Sequence, residues 1–403
     1  MRILYFEWSS FGNEDIREAF TALSHELITM PYPFNDVYHD EKLEKRIKQK
    51  IEDTKVDIAF SSNYYPPIAI ACHETGTPYI SWIYDSPYVK LYSYTVIFKT
   101  NHIYVFDKEQ YEEFARNRIP TVRYMPLAAN AGRLQRTVHD KDLVKKFNGS
   151  SSGNKTKVAF VGSMYDEEHT FFRRLKSISE YTRGYLEGVI AAQSKVFGYN
   201  FVQSMMTDAV MDDMYRDLPM EPNADSVARR EYLFGEYAVN REITARERYE
   251  YLSAIGERFG NEGSPALDLY TQDPNLRIRG ILNHGIIDHF NMAPIVYNRS
   301  MININITLRS IHSGIPLRAF EILGSGGFLL SNYQADFVDC YTEGEDYVSY
   351  CSKEDMLDKI EYYLSHDKER QDIARNGLRK TMEEHSYCSR LNRMIEDVTG
   401  SLA

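Results

Sequence analysis

Arg309, Arg318 and Glu321 fall within one short stretch, SMININITLRSIHSGIPLRAFEILGSGGFLLSNY, from Ser300 to Tyr333. A guanidinium binds phosphate oxygens in a two-pronged fashion and stays charged. A single carboxylate suits the hydroxyls of a ribose. Arg309 and Arg318 are therefore candidates for a diphosphate and Glu321 for a ribose. A plainer reading stands beside this one, because Arg318 and Glu321 are three residues apart and would share one helix face as an exposed ion pair. Surface pairing would equally account for both arginines.

The elements around them would have to do the positioning. Met301 to Thr307 alternates apolar residues with Asn303 and Asn305, the pattern of a strand with one well-buried face. Gly314 and Pro316 break and restart the chain, and proline suits the first turn of a helix because its missing N–H would be unpaired there anyway. The helix should run to about Leu323, with Leu317 and Phe320 toward the core. Gly324, Gly326 and Gly327 end it, and Phe328, Leu329 and Leu330 start another strand. A strand, loop, helix, strand unit of this kind is a natural anion site, since the first helical N–H groups are unpaired.

Other candidates are scattered. The turn at Gly162 and Ser163 follows the apolar run Val158 to Val161, and glycine there lets backbone approach a ligand, although most such glycines merely make a tight turn. Tyr270 ends the run ALDLYT. Asp85, in SWIYDSPY, follows a strand and should sit at a sheet's C-terminal edge, where α/β enzymes place their chemistry; capping of the next turn is the alternative. Phe11, Gly12 and Asn13 lie in one strand-to-helix loop and Asn63 in another, and both loops could face an acceptor. His73 and His102 have no visible partner and read as structural. Asp140-Lys141-Asp142 has the spacing of a metal-bound nucleotide-sugar motif, but its polar surroundings suggest solvated charge. Asp212-Asp213 earns no better reading.

Composition bounds the rest. A chain of 403 residues exceeds what one core usually supports, so two domains are expected. The net charge of −11 argues against a general nucleic-acid binder, which needs a basic face, so any phosphate site must be local. The 31 tyrosines are unusually many and suit polar, aromatic clefts, though buried core tyrosines explain most of them. Cys72, Cys340, Cys351 and Cys388 are far apart, supporting neither zinc nor a disulfide framework. No metal or resident cofactor is expected. The opening MRILYFEWSSFG enters a strand at once, and no apolar run approaches about 18 residues, so a cytoplasmic protein without a transmembrane segment is expected.

Strands alternate with helices along the chain, which implies parallel pairing and a doubly wound α/β sheet. The expected organisation is a first Rossmann-like domain over 1–135, a linker or hinge over 136–157 whose most flexible part is Asn148 to Lys155, and a second Rossmann-like domain over 158–385. The second carries a helical insertion over about 167–259, and 386–403 is a final helix.

ISWIYDSPY at Ile80 to Tyr88, MPLAAN at Met125 to Asn130, FVGSMY at Phe160 to Tyr165, the Ser300 to Tyr333 segment and RQDIARNGLRKTMEEHSY at Arg370 to Tyr387 together resemble bacterial glycosyltransferases of the spore maturation protein CgeB-like group, within the GT-B superfamily. The resemblance spans nearly the whole chain and is weakest in the helical insertion. It implies two Rossmann-like domains facing a central cleft, a final helix crossing back to the first domain, and metal-independent transfer of a hexose from a nucleoside diphosphate sugar, UDP-linked by preference, to a hydroxyl of a protein, glycan or spore component. It places Gly162, Ser163, Tyr270, Arg309, Gly314, Arg318, Glu321 and Gly326 on the donor. Phe11, Gly12, Asn13, Asn63 and Asp85 go on the acceptor side, with Asp85 as general base or acceptor-orienting group and Arg318 assisting catalysis. Many retaining relatives carry a glutamate, seven residues and a second glutamate. Glu321 matches the second, but Ser313 stands where the first belongs. That departure leaves the stereochemistry open. A nucleotide-sugar epimerase of similar fold and a non-catalytic nucleotide-sugar or glycan-binding module are the alternatives.

Overall fold

The structure is a computed structural model that describes residues 1–8, 12–33, 38–150, 157–165, 170–261 and 263–400. The chain divides into two compact units. One comprises Met1–Ala128, Glu221–Arg229 and the chain from Ser386 onward; the other comprises Ala129–Met220 and Arg230–His385.

The N-terminal unit is built on a six-stranded sheet of β1 (Arg2–Glu7), β2 (Glu26–Pro31), β3 (Ile58–Ser62), β4 (Tyr79–Trp82), β5 (Asn101–Val105) and β6 (Val122–Tyr124), in the order β2-β1-β3-β4-β5-β6. Every pairing is parallel. The order reverses between β1 and β3, which opens a gap at the C-terminal ends of those strands. The final helix, Tyr387–Gly400, packs on this unit with Leu391, Met394 and Val398 buried. Two backbone hydrogen bonds, Tyr94 N–H to Asp225 C=O and Val227 N–H to Tyr92 C=O, fasten the segment Glu221–Arg229 to it as a strap.

The C-terminal unit repeats the plan with β7 (Val158–Val161), β8 (Leu267–Tyr270), β9 (Ile281–Asn283), β10 (Ile302–Asn305), β11 (Leu329–Asn332) and β12 (Val348–Tyr350), again all parallel. Its order is β12-β11-β10-β7-β8-β9, so the reversal falls between β7 and β10. Both units are thus doubly wound α/β halves, as expected. The insertion between β7 and β8 is helical and has its own apolar core, including Leu186, Ile190, Met214, Phe234 and Ile243. Its helices include Glu180–Gln193 and Asn240–Phe259, and a seven-residue π-helix, Leu233–Val239, leads directly into the latter.

Three local expectations need correction. Asn303 and Asn305 do not face solvent: β10 is central and covered on both faces, and both side chains are buried. Their amides are paired instead, Asn303 Nδ2 with the Tyr297 carbonyl at 2.9 Å and Asn305 Nδ2 with Ser331 Oγ at 2.9 Å. In the helix Leu317–Gly324, Ala319 and Phe320 are fully buried, whereas Leu317 is only half-buried and Pro316 is the cap before the first turn. Part of the polar stretch at 136–157 is helical, since Lys141–Ser150 forms a helix started by Asp140, whose Oδ1 accepts from the N–H groups of Asp142 and Leu143. That cap is the role of the Asp140-Lys141-Asp142 string. The rest of Asn148 to Lys155, from Ser151 onward, lies outside the described residues.

Candidate functional site

The gap between β7 and β10 is where the C-terminal unit gathers its chemistry. Arg248, from the middle of Asn240–Phe259, is completely buried there. Its guanidinium donates to the Ser163 carbonyl at the end of β7 and, at 2.5 Å, to the Ile306 carbonyl at the end of β10, so one side chain ties together the two loops that define the gap. It lies 4.6 Å over the ring of Tyr165 and 5.3 Å over that of Phe160. Burial pushes its pKa down to about 10, and the charge of Arg318 adds to the effect.

Arg318 occupies the same edge. Its Nη1 donates to Asn305 Oδ1 at 3.2 Å, so the buried asparagine of β10 orients it. A Cβ on Gly162 would come within 2.6 Å of Arg318 Nη2, which is why glycine follows β7. The N–H of Gly162 is held by the Tyr270 carbonyl at 2.9 Å. Among the described residues neither Arg248 nor Arg318 forms an ion pair with a carboxylate. Two guanidiniums, one fully buried and neither matched by an acid among the described residues, make an edge that favours an anion, because an uncompensated buried charge is costly.

Glu321 lies one turn further along the helix. It does not pair with Arg318; its Oε1 accepts from His289 Nε2 at 2.9 Å. The charge of Glu321 raises the pKa of His289. His289 stands on the segment after β9, where Asp288 Oδ1 accepts from the N–H groups of Phe290 and Asn291 and Arg133 stacks 4.0 Å over Phe290. Tyr270 is buried and stacks on His284 at 4.7 Å, and His284 Nε2 donates to Asp268 Oδ1 at 2.9 Å.

Arg309 and Gly326 do not join this group. The Arg309 guanidinium is buried against Glu247, which accepts from both Nε and Nη2, while Nη1 donates to the Val196 carbonyl at 2.8 Å. Its backbone is clamped as well, N–H to Thr244 Oγ1 and C=O from Asn200 Nδ2, both at 2.9 Å. Arg309 therefore fastens the loop after β10 to the helical insertion. Gly326 lies past the C-terminal end of Leu317–Gly324, at the opposite end of that helix from its first turn. There a φ of +78° lets the chain turn toward β11. Gly314 stays in the loop, its carbonyl accepting from Gln334 Nε2 at 3.0 Å. Close by in sequence, His312 Nε2 donates to Glu236 Oε1 at 3.1 Å. Glu236 is a buried carboxylate on the π-helix that also accepts from Gln203 and Asn240.

In the N-terminal unit, the gap between β1 and β3 is framed by Trp8, whose Nε1 donates to the Ser62 carbonyl at 3.2 Å. Asn63 adopts a left-handed φ of +63°. From there its Oδ1 accepts from the N–H groups of Tyr84 and Asp85 and its Nδ2 donates to Asp85 Oδ2 at 2.7 Å. Asp85 is thereby held, with its side chain exposed, at the C-terminal edge of β4. Asn13 is buried and spent internally, accepting from Tyr5 Oη at 2.7 Å and donating to the Trp8 carbonyl. These two bonds shape the loop. Gly12 caps the following helix beside the hydroxyls of Tyr84 and Tyr387. Phe11 lies outside the described residues. His102 bonds Arg123 at 2.7 Å, and His73 stacks on Phe98 at 4.2 Å. Asp213 accepts from the Ser179 N–H and hydroxyl, and Asp212 pairs with Arg230.

Arg248, His289, Glu236 and His312 carry no local signal in the sequence. Arg248 is one of several arginines on a helical stretch, and each of the others matters only through a partner far away in the chain. No helix among the described residues is long and apolar enough to cross a membrane. Comparison with known proteins supplies a framework for this geometry. Residues 247–396 match the glycosyl transferase-like family model. No curated protein sequence matches the chain. Among solved structures, an α,α-trehalose-phosphate synthase (UDP-forming) from Burkholderia vietnamiensis is 12% identical with a TM-score of 0.55, and the alignment covers 100% of both chains. A glycosyltransferase from Rickettsia africae is 11% identical at a TM-score of 0.53, covering 100% of this chain and 98% of its own. The HepE protein of Anabaena, in complex with UDP-glucose, is 10% identical at 0.53, covering 99% of this chain and 100% of its own. The fold is that of the GT-B glycosyltransferases, two Rossmann-like halves.

Proposed function

We propose that the protein is a glycosyltransferase of GT-B type that moves a hexose from a nucleoside diphosphate sugar, UDP-linked by preference, to an acceptor hydroxyl on a protein, glycan or surface component. The observation that carries the reading is the pair Arg248 and Arg318 at the β7/β10 gap, neither matched by an acid among the described residues, with the carboxylate of Glu321 one helical turn away. A diphosphate needs the first and a ribose the second. The family match over 247–396 supports transfer chemistry, and UDP figures in the descriptions of two of the fold relatives. The kinship with the CgeB-like group belongs to the same proposal.

In this mechanism the diphosphate lies against the Gly162–Ser163 turn and the first N–H groups of Leu317–Gly324. Arg318 meets the negative charge that grows on the leaving oxygen, while Arg248 holds both loops and raises the local potential. Charge stabilisation of this kind is often the largest catalytic term. Metal is not required in the scheme, and turnover should survive chelation. Asp85, oriented by Asn63, receives the acceptor hydroxyl's proton if the reaction inverts, or orients the acceptor if it retains.

Release of UDP from a panel of UDP-sugars, with and without candidate acceptors, tests the reading. An epimerase would convert a UDP-sugar without an acceptor, and a binding module would hold UDP yet release none. Glu321→Ala should weaken UDP binding about ten- to hundredfold, since hydrogen bonds to a charged group are worth about 1.5–3 kcal/mol. An unchanged dissociation constant by calorimetry would remove its ribose role.

A further inference from the structure

Resting on the nucleotide site proposed above, we infer that His289 is a positioning residue for the ribose, holding Glu321 by one oxygen so that the other is presented to the sugar hydroxyls. Glu321 Oε1 is taken by His289 Nε2 at 2.9 Å, and no protein donor reaches Oε2 among the described residues. The carboxylate is nearly buried, with 12% of its side chain accessible, while the imidazole is 30% accessible. A carboxylate on a helix flank rotates freely about its last torsion unless something grips it. Here the grip comes from a different element, the segment after β9, whose turn is set by Asp288 and whose Phe290 is covered by Arg133. That construction is more than a chance surface contact requires.

A second consequence concerns protons. The charged groups facing His289 are Glu321 and Arg318 from Leu317–Gly324 and Arg133 from Ala131–His139; Glu321 dominates, so the imidazole stays protonated to higher pH than usual. The imidazolium adds positive charge beside a site for an anion. Affinity for UDP should therefore be highest where His289 is charged and fall as pH rises through its raised pKa.

The experiment measures UDP and 2′-deoxy-UDP binding by calorimetry between pH 6 and 9 for the wild type, His289→Gln, His289→Ala and Glu321→Ala. Wild-type affinity for UDP should fall about three- to tenfold across that range, and UDP should bind about tenfold more tightly than its deoxy analogue. His289→Gln keeps a donor for Glu321 without a titrating charge, so it should retain the discrimination and lose the excess pH dependence. His289→Ala should lose most of the discrimination while remaining folded by circular dichroism. Titration of the UDP phosphate is common to all variants and cancels in the comparison. The inference is overturned if His289→Ala discriminates as the wild type does, or if His289→Gln keeps the wild-type pH profile. Failure of the underlying site is a separate result: no UDP binding by the wild type, or no effect of Glu321→Ala.

Discussion

The two sheets each reverse their strand order at one gap, and the two gaps are furnished differently. Between β7 and β10 stand two guanidiniums without acidic partners among the described residues, one sunk in the protein and bonded to both rims. Between β1 and β3, and along the neighbouring edge of β4, the furnishing is an indole, an asparagine and one exposed carboxylate among tyrosines. Tyr64 and Tyr79 are fully buried and Tyr84 and Tyr88 half-buried, and desolvation raises the pKa of each, so they stay neutral. The same topological event thus produces a cationic edge in one half and a largely aromatic edge carrying the Asp85 carboxylate in the other. Topology supplies the crevice, and side chains decide what enters it. On the proposed function, a nucleoside diphosphate takes the first and a hydroxyl-bearing acceptor the second.

The sharpest way to break this contrast is to ask whether Arg309 belongs to the cationic edge after all. Arg309→Ala leaves Glu247 buried and unmatched and should cost about 3–5 kcal/mol of stability, read by denaturant unfolding. The double variant Arg309→Met with Glu247→Met should regain most of that loss and bind UDP within about threefold of wild type. Loss of UDP binding in the refolded double variant would return Arg309 to the diphosphate. Next, Arg318→Ala and Asp85→Asn should separate the two edges. The first should cut turnover about 10²–10³-fold together with UDP affinity, the second about 10²-fold with UDP affinity intact. If Asp85→Asn weakens UDP binding as much as Arg318→Ala does, the division of labour is wrong. The gentlest test is Gly162→Ala, whose new methyl meets the mobile end of Arg318 and not backbone. We expect an unchanged melting temperature and UDP affinity lowered roughly tenfold, because displacing one charged hydrogen bond costs on the order of 1.5 kcal/mol.

The fold was legible where local rules agreed. Val158–Val161 has the bounds read from pattern alone, because a compact apolar run is closed there by glycine and serine. Glu26–Pro31 escaped notice, since an edge strand that is half exposed shows little periodicity. Asn303 and Asn305 misled through a valid rule, for alternation signals a solvated face only when nothing covers that face. At the site, the glycine after β7 and the Arg318–Glu321 spacing were visible. What each side chain touches was not. Arg309 is adjacent to the site in sequence yet is claimed by Glu247, 62 residues away, and Arg248 reaches the gap from an insertion whose own residues look like an ordinary helix. Residue type and spacing announce a capacity for charge, but the competing partner sits elsewhere in the chain.

The strap and the final helix carry a consequence for how the molecule is made. Met1–Ala128 leaves the ribosome first, but the surface that Leu391, Met394 and Val398 will cover stays bare until residues 386–400 emerge, some tens of seconds later at about 5–20 residues per second. The half that is synthesised first is finished last. A fragment ending at Ala128 should therefore aggregate or recruit chaperones. Supplying the Tyr387–Gly400 peptide in trans is a direct way to find out how much of its solubility that one helix provides.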